Sequence, residues 1–356
     1  MARAVRDRVQ DVRRGRGQSV IVRKLAAAVV VLIVAASSPA AAHEGWGIVV
    51  DSRGRVYVTD IPANTIWRIS PEGRAEAIRR FIHSHALSLG ADGAVYGTNV
   101  SLTQSLRSVW RFDANGRFSE IIAPTTEIPL DLQSFLLAPD GSVYSASIYQ
   151  HPEPAGGREL YLLHWSPAGV VDTLAGGHVG HADGAGRAAR FQSIDGMAWL
   201  PDGSIVLADG PRLRRVSIDG RVESLGPPLT VMRWDQDLLG VAVGPDGAIY
   251  AADFAGRVVQ RVSGNNVDTL YRASPYWAPA GIAVAAGGVY VLEHPRAPLG
   301  ILGDIGIGPY LLVRRINADG SAMTLTTIWG RYSRYAGLAF VLIAGGVVLL
   351  WRRHRA

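Results

Sequence analysis

The chain has 356 residues, is 48% hydrophobic and contains no cysteine, so neither a disulfide framework nor a thiolate metal site can form. Its formal net charge of +6 arises at its two ends, because residues 1–42 carry eight basic groups against two acidic ones and residues 352–356 add three arginines. The remainder is mildly acidic, with a net charge of −3, which argues against nucleic acid as a partner.

The N-terminal segment has the pattern of a bacterial export signal. A basic stretch that ends at Lys24 precedes an apolar run over 25–36, and small residues stand at Ala40 and Ala42. This order of charge, apolar core and small residues is typical of a secretory signal peptide. We therefore expect 1–42 to be a signal peptide that is cleaved before His43, with an uncleaved N-terminal anchor as the alternative.

Between residues 43 and 328 one pattern recurs six times. An alternating apolar strand, a polar glycine turn and a second strand rich in Val, Ile and Tyr are followed each time by a further pair of strands. The leading hairpins occupy 47–60, 86–99, 134–147, 196–209, 240–253 and 281–293. Four strands per unit and six units predict an all-β fold, a six-bladed β-propeller with four-stranded blades. A β-sandwich is the alternative, but it would not repeat its own sequence so regularly.

In such a blade the first strand lines the central channel, so the residues just before it form rings at one mouth. The aligned glycine position is the first residue of each leading hairpin. Three positions before it the sequence has Glu44, His83, Asp131, Ser193, Asp237 and Ala278. One position before it the sequence has Trp46, His85, Gln133, Asp195, Leu239 and Ala280. We interpret Trp46, His83, His85 and Gln133 as candidate ligand-binding residues.

The four carboxylates of these rings are candidate metal ligands: Glu44, Asp131, Asp195 and Asp237. Converging carboxylates repel one another unless a cation, a proton or a hydrogen-bond donor offsets their charge. Oxygen ligands suit Ca²⁺, and a mixture of carboxylate and imidazole also suits Zn²⁺ or Mn²⁺. The alternative is that these side chains are simply solvated, as polar residues at a propeller mouth often are.

Two segments resemble known propeller families. Residues 177–220 resemble an NHL repeat, and 56–73 resemble the related gluconolactonase and senescence-marker-protein propellers. The lactonase branch of that family uses a Glu, an Asn and an Asp at the inner ring positions. Asp195 matches the family's Asp-Gly-Met element, but Glu44 lies two positions early, with Trp46 in the family's Glu position. Leu239 occupies a position that should be polar, and neither ring contains an asparagine.

Other polar residues are interpreted as structural. Asp60, Asp209 and Asp253 end the second strands of their blades, where we expect them to stabilise turns. His178 and His181 lie in the connection into blade four, which we interpret as a solvated loop. Two connections between second and third strands are predicted to be long, 148–160 and 294–312, and the second contains an apolar, glycine-rich run.

The C-terminal end has the pattern of a single membrane span. Residues 335–351 carry no charge and are followed at once by a basic tail, 352–356, after a short linker over 329–334. A stretch of this length is at the short end of what spans a bilayer, and a buried core helix is the alternative. The positive-inside rule places the tail in the cytoplasm and the propeller outside. We expect a single-pass protein of the cell membrane with an extracytoplasmic propeller.

Two functions remain open from the sequence. One is a binding or interaction module that engages a small molecule, a glycan or a protein at the channel mouth. The other is a metal-dependent hydrolase of the lactonase type, which needs its ring carboxylates to converge around one divalent ion. A purely architectural subunit of a membrane complex is a third, weaker alternative. No nucleophile elbow, phosphate loop or paired acid–base motif is present in the sequence.

Overall fold

A computed structural model describes residues 45–100, 106–126, 134–151, 156–230, 238–296 and 308–330. These residues form six antiparallel sheets, each built from strands that are consecutive in the chain. The innermost strands of neighbouring sheets contact one another around a closed ring. The prediction of an all-β, six-bladed propeller is therefore confirmed.

The blades follow chain order. Blade one contains β1 (Ile48–Val50), β2 (Val56–Asp60), β3 (Thr65–Ile69) and β4 (Ala75–Arg80). Blade two contains β5 (Leu87–Leu89), β6 (Val95–Val100), β7 (Arg107–Phe112) and β8 (Phe118–Thr125). Blade three contains β9 (Phe135–Leu137), β10 (Val143–Gln150), β11 (Arg158–Trp165) and β12 (Val171–His178).

The last three blades repeat this plan with one departure. Blade four contains β13 (Gly184–Ala185), a 3₁₀ turn (Gly186–Ala188), β14 (Met197–Trp199), β15 (Ile205–Asp209), β16 (Arg212–Val216) and β17 (Arg221–Ser224). Blade five contains β18 (Leu238–Val243), β19 (Ile249–Asp253), β20 (Val258–Ser263) and β21 (Asn266–Arg272). Blade six contains β22 (Trp277–Ala285), β23 (Gly288–Pro295), β24 (Pro309–Ile316) and β25 (Ala322–Trp329).

Blade four adds a fifth, very short strand to the four-stranded plan that the sequence predicts and that the other five blades follow. The short strand β13 pairs with the outermost strand β17 and makes this sheet five-stranded. Two residues carry no alternating apolar pattern, so the sequence gives no signal for such a strand. The predicted long connection 148–160 is also shorter than expected, because β10 and β11 stay paired as far as Gln150 and Arg158.

The two faces of the ring differ in what they carry. The face at which the innermost strands begin is called the mouth face, and the connections between second and third strands open there as well. The opposite face, called the turn face, carries the tight turns between first and second strands. Gly93 and Gly203 adopt φ values of +73° and +82° in two of these turns, a conformation that favours glycine.

The core lies in the seams between blades rather than at the centre of a single sheet. The seam between blades six and one, for example, buries Val58 and Ile69 against Leu292, Leu311 and Val313. Because each described sheet contains only consecutive strands, the first and last described strands, β1 and β25, lie in different blades. The ring is therefore closed by side chains and close backbone contacts at this seam.

Candidate functional site

Glycines let neighbouring blades approach closely at the start of the innermost strands. A Cβ atom on Gly281 would lie 2.4 Å from the carbonyl oxygen of Trp46 in blade one, and one on Gly240 would lie 2.6 Å from that of Ala280 in blade six. Backbone hydrogen bonds also cross between blades, such as the 2.9 Å bond from Trp46 N to the carbonyl of His85. The aligned glycines of the repeat are thus needed for packing at the channel as well as for strand geometry.

One side of the ring is apolar. Leu239, Ala278 and Ala280, from blades five and six, are completely buried and belong to one cluster with Trp46 and Phe254. Leu239 stands where the lactonase pattern requires a polar residue. Its burial shows that this position packs against neighbouring side chains instead of facing a ligand.

The other side of the mouth carries two histidines in contact. The Nε2 atoms of His83 and His85 are 3.1 Å apart, and the two rings meet edge to face. Nδ1 of His83 lies 3.1 Å from Oδ1 of Asn64, and the backbone N–H of His83 donates to Oδ1 of Asn99 at 2.8 Å. The side chain of His85 is buried, whereas that of His83 is half-buried. The sequence placed both residues in the rings but gave no sign that they touch.

One arrangement of protons satisfies the contacts of this histidine pair. Oδ1 of Asn64 can only accept, so Nδ1 of His83 carries a proton and, in the neutral ring, Nε2 accepts from the Nε2–H of His85.

Trp46 completes the group. Its ring lies 5.5 Å from that of His85, and its side chain is only 7% exposed. Among the described residues no atom accepts a hydrogen bond from its buried indole N–H. Leaving a buried donor without an acceptor costs about 1–3 kcal/mol, so this N–H is a candidate contact for a ligand oxygen.

Asp195 is the one candidate metal ligand among the described residues. It is half-buried, and its Oδ2 accepts a hydrogen bond from Ser193 Oγ at 2.7 Å, which joins the two ring positions of blade four. Glu44, Asp131 and Asp237, together with the candidate ligand-binding residue Gln133, lie outside the described residues. Within the described ranges, no group of three His, Cys, Asp or Glu side chains is placed to hold a metal ion.

The carboxylates that end the second strands are buried and do more than stabilise turns. As predicted, Asp60 and Asp253 each accept a turn N–H, from Ala63 at 3.0 Å and Gly256 at 2.6 Å. Asp60 also accepts hydrogen bonds from Trp67 Nε1 and, across the seam, from Tyr310 Oη, both at 2.7 Å. Burial raises the pKa of Asp60, and these donors act in the opposite direction.

Asp209 takes part in a buried ion pair that the sequence did not indicate. Its Oδ2 lies 2.6 Å from Nη1 of Arg214, and neither side chain is exposed. Arg214 also pairs with Asp183 at 2.9 Å and lies 3.1 Å from Nδ1 of His181. His181 lies in a loop and is exposed, as interpreted, but the fold also brings its segment against β16, where Nδ1 contacts the buried Arg214. Only the tertiary structure places these residues together, since Asp183 and Arg214 are 31 positions apart.

His178 matches its interpretation as a solvated residue. Its side chain is 68% exposed, and Nδ1 lies 3.7 Å from Oε1 of Glu159. The same carboxylate lies 3.3 Å from Nε2 of His151, so the two histidines flank one acidic group on the edge of blade three. This cluster is separate from the residues predicted to form the mouth.

A groove between blades two and three lies away from the mouth. Its volume is about 990 Å³, and Tyr96, Val109, Val143 and Trp165 contribute to its walls. It contains none of the ring residues. The predicted site and this groove are therefore distinct features of the molecule.

The described residues contain no helix that is long and apolar enough to cross a membrane. The predicted membrane segment, 335–351, the basic tail and the predicted signal peptide lie outside the described residues.

A scan against models of protein families and a search of curated proteins find no match to this chain. Solved structures do match. A gluconolactonase from Xanthomonas campestris matches with a TM-score of 0.51 at 12% identity, over 70% of this chain and 83% of its own. A putative gluconolactonase matches with a TM-score of 0.50 at 18% identity, over 70% and 85%. A structural genomics protein of unknown function from Bacteroides thetaiotaomicron matches with a TM-score of 0.53 at 14% identity, over 69% of this chain and 66% of its own.

These likenesses confirm the resemblance to gluconolactonase-type propellers at the level of the fold. At such low identity they say nothing about activity, because one propeller fold carries many unrelated functions. The function has to be argued from the side chains at the mouth.

Proposed function

We propose that this chain is an exported, membrane-anchored propeller that binds a small, oxygen-rich molecule at its mouth through Trp46, His83 and His85. The observation that carries the proposal is the group itself: two imidazoles in contact at 3.1 Å beside a buried indole N–H. A hydroxy acid, a lactone or a sugar supplies an acceptor oxygen for the Trp46 N–H. Attachment through 335–351 supports placing the propeller outside the cytoplasm.

The burial of Trp46 and His85 favours a small ligand over a protein partner at the channel opening itself. A protein interface usually centres on exposed anchors, whereas both of these side chains are buried. The half-buried His83 is the outermost member of the group and the first contact for such a ligand.

The test is a ligand screen on the full chain in detergent, with melting temperature as the readout. Gluconate, glucono-lactone and neutral monosaccharides serve as probes of the three ligand classes. We expect at least one class to raise the melting temperature. The shift is lost in His83→Ala and reduced in Trp46→Phe, which keeps an aromatic ring but removes the N–H donor.

The matched control is His178→Ala, which removes an exposed histidine on the edge of blade three. A shift that survives His83→Ala, or that disappears equally in His178→Ala, contradicts binding at the mouth. No shift with any probe class contradicts the proposed ligand chemistry.

A second candidate function is a metal-dependent hydrolase of the lactonase type. Asp195, in the Asp-Gly-Met element, is the specific observation in its favour, because Ser193 holds its carboxylate in place. The proposal needs Glu44, Asp131 and Asp237 to join Asp195 around one divalent ion such as Ca²⁺, Zn²⁺ or Mn²⁺. The described residues do not by themselves supply such a set, so no catalytic step is derived.

Metal content separates the two functions. A stoichiometric divalent ion whose removal by chelator lowers the melting temperature, and whose content falls in Asp195→Ala, favours the hydrolase. A chain that is metal-free and indifferent to chelator and added divalent ions favours the binding module.

A further inference from the structure

Four aromatic side chains are strongly exposed in the described residues, and all four lie on the mouth face. Phe81, Tyr149, Tyr276 and Trp329 are 89%, 52%, 51% and 58% exposed. Each stands at or just beyond the end of a second or fourth strand, and both kinds of strand run towards the mouth face. These four are called the rim aromatics. Most of the exposed aliphatic side chains, such as Ile218 and Val267, lie on the turn face instead.

Phe81 is held outwards by its own backbone. Its φ of +64° is a left-handed conformation that bulky residues rarely adopt. The residues that follow it are fixed: Ile82 N donates to the carbonyl of Asn64 at 3.0 Å, and His83 N donates to Asn99 Oδ1 at 2.8 Å. The fold therefore maintains an unfavourable backbone geometry that presents an apolar ring to solvent. Such a combination is characteristic of contact surfaces.

The mouth face also carries exposed positive charge. On this face Arg79, Arg80, Arg158 and Arg272 are exposed. The carboxylates at or near the ends of the second strands are buried there, namely Asp60, Asp209, Asp253 and Glu293. Two further carboxylates towards this side are paired, Glu159 with His151 and Asp183 with Arg214.

The turn face is mixed in charge. Its tight turns carry the exposed aspartates Asp92, Asp140, Asp202, Asp219, Asp246 and Asp319, and also the exposed arginines Arg53, Arg74, Arg117 and Arg221. Three of these aspartates are paired with arginines, Asp92, Asp202 and Asp246. Among the described residues, the mouth face thus differs from the turn face in combining exposed aromatic rings with exposed arginines, and an anionic surface attracts exposed arginines.

The chain also leaves the propeller on the mouth face. The last strand, β25, ends at Trp329 on that face, and the uncharged segment 335–351 begins six residues later. A segment of this length and composition suits a bilayer. Because the connection between Trp329 and residue 335 is short, it keeps the mouth face near the membrane surface.

We infer that the mouth face docks on an anionic lipid bilayer, with the rim aromatics at the headgroup level and the exposed arginines against lipid phosphates. Aromatic side chains favour this interface because they combine an apolar body with a polar or polarisable edge. Arginines near an anionic leaflet each strengthen the association about fivefold. The inference rests on the anchoring in the proposed function, and it implies that a ligand reaches the mouth from the headgroup layer.

The absence of cysteine from the chain makes the test direct. Phe81→Cys and, as a matched turn-face control, Ile218→Cys are labelled with a fluorophore that doxyl-labelled lipids quench. The control position is also strongly exposed, at 68%. The full chain is placed in vesicles of phosphatidylcholine alone or with one third phosphatidylglycerol, and flotation is measured in parallel.

We expect quenching at position 81 and not at position 218, and stronger quenching at position 81 in the anionic vesicles. Arg158→Gln combined with Arg272→Gln should lower the docking equilibrium about 25-fold, from about fivefold for each arginine. Equal quenching at the two positions, or no dependence on phosphatidylglycerol, overturns the docking face. Flotation tests the membrane anchor, and quenching tests the docking face. If the anchoring fails, the chain no longer floats with either kind of vesicle, whereas failure of the docking alone leaves flotation on neutral vesicles unchanged.

Discussion

His294 should make the closure of the propeller ring sensitive to acid. It lies in β23 of blade six, is 3% exposed, and its Nε2–H donates to the carbonyl of Gly45 at 2.9 Å. Gly45 leads into blade one, so this hydrogen bond joins the first and last blades. Burial lowers the pKa of His294 to about 4, and the hydrogen bond to Gly45 acts in the opposite direction.

The sign of the pH effect follows from where the proton binds. Between about pH 6.5 and pH 4 the unfolded chain protonates this histidine, whereas the folded chain keeps it neutral. The stability contribution is therefore fully present above about pH 6.5 and is lost as the pH falls towards 4. Linkage gives a loss of about 2.5 kcal/mol in the free energy of unfolding between pH 7.5 and pH 4.5. For a domain of this size that corresponds to roughly 4 °C in melting temperature.

The assay compares melting temperatures at pH 7.5 and pH 4.5 for the wild type, His294→Gln and His178→Gln. Glutamine is neutral at both values, so His294→Gln should lose most of this pH dependence, although it is less stable at pH 7.5. His178→Gln, which changes an exposed histidine, should keep the wild-type dependence. An undiminished loss of melting temperature in His294→Gln would refute the reasoning, because the acid sensitivity would then come from other groups.

Two further substitutions test the packing of the ring and its buried ion pair. Gly281→Ala should destabilise the propeller by about 1–3 kcal/mol, because the new Cβ meets backbone of blade one at 2.4 Å. Gly180→Ala has its nearest neighbour at 3.5 Å and should differ little from wild type in urea denaturation; equal losses would contradict the close approach. Arg214→Met leaves a buried carboxylate unpaired and should cost about 3–5 kcal/mol by the same measurement. The exposed Arg221→Met should stay within about 0.5 kcal/mol of wild type, and a similar small effect for Arg214→Met would show that its pair is not needed.

Much of the fold could be predicted because each blade repeats a local signal. Each leading hairpin combines alternating apolar residues with a glycine or Asp-Gly turn, and the strands form there. Asp92 and Asp202 illustrate the turn chemistry, since each accepts a hydrogen bond from the backbone N–H two residues later. Register inside a blade is therefore determined over distances of a few residues.

The candidate site could be predicted only in part. Counting back from the aligned glycines placed Trp46, His83 and His85 near the mouth, and the structure brings these three together. The same counting assigned equivalent ring positions to Leu239 and Ala280, which are buried in an apolar cluster. A position in a repeat specifies where a residue stands along its strand. It does not specify how deeply the neighbouring blades cover it.

The sequence by itself determined the strands, the number of blades and the side of the ring on which each residue lies, because these depend on alternation, turns and chain order. The tertiary structure decided which groups from different blades meet. It placed His294 against Gly45, 249 positions away, and Tyr310 against Asp60, 250 positions away. Such contacts depend on the angle and spacing at which six sheets pack into a closed ring, and no local pattern encodes those quantities.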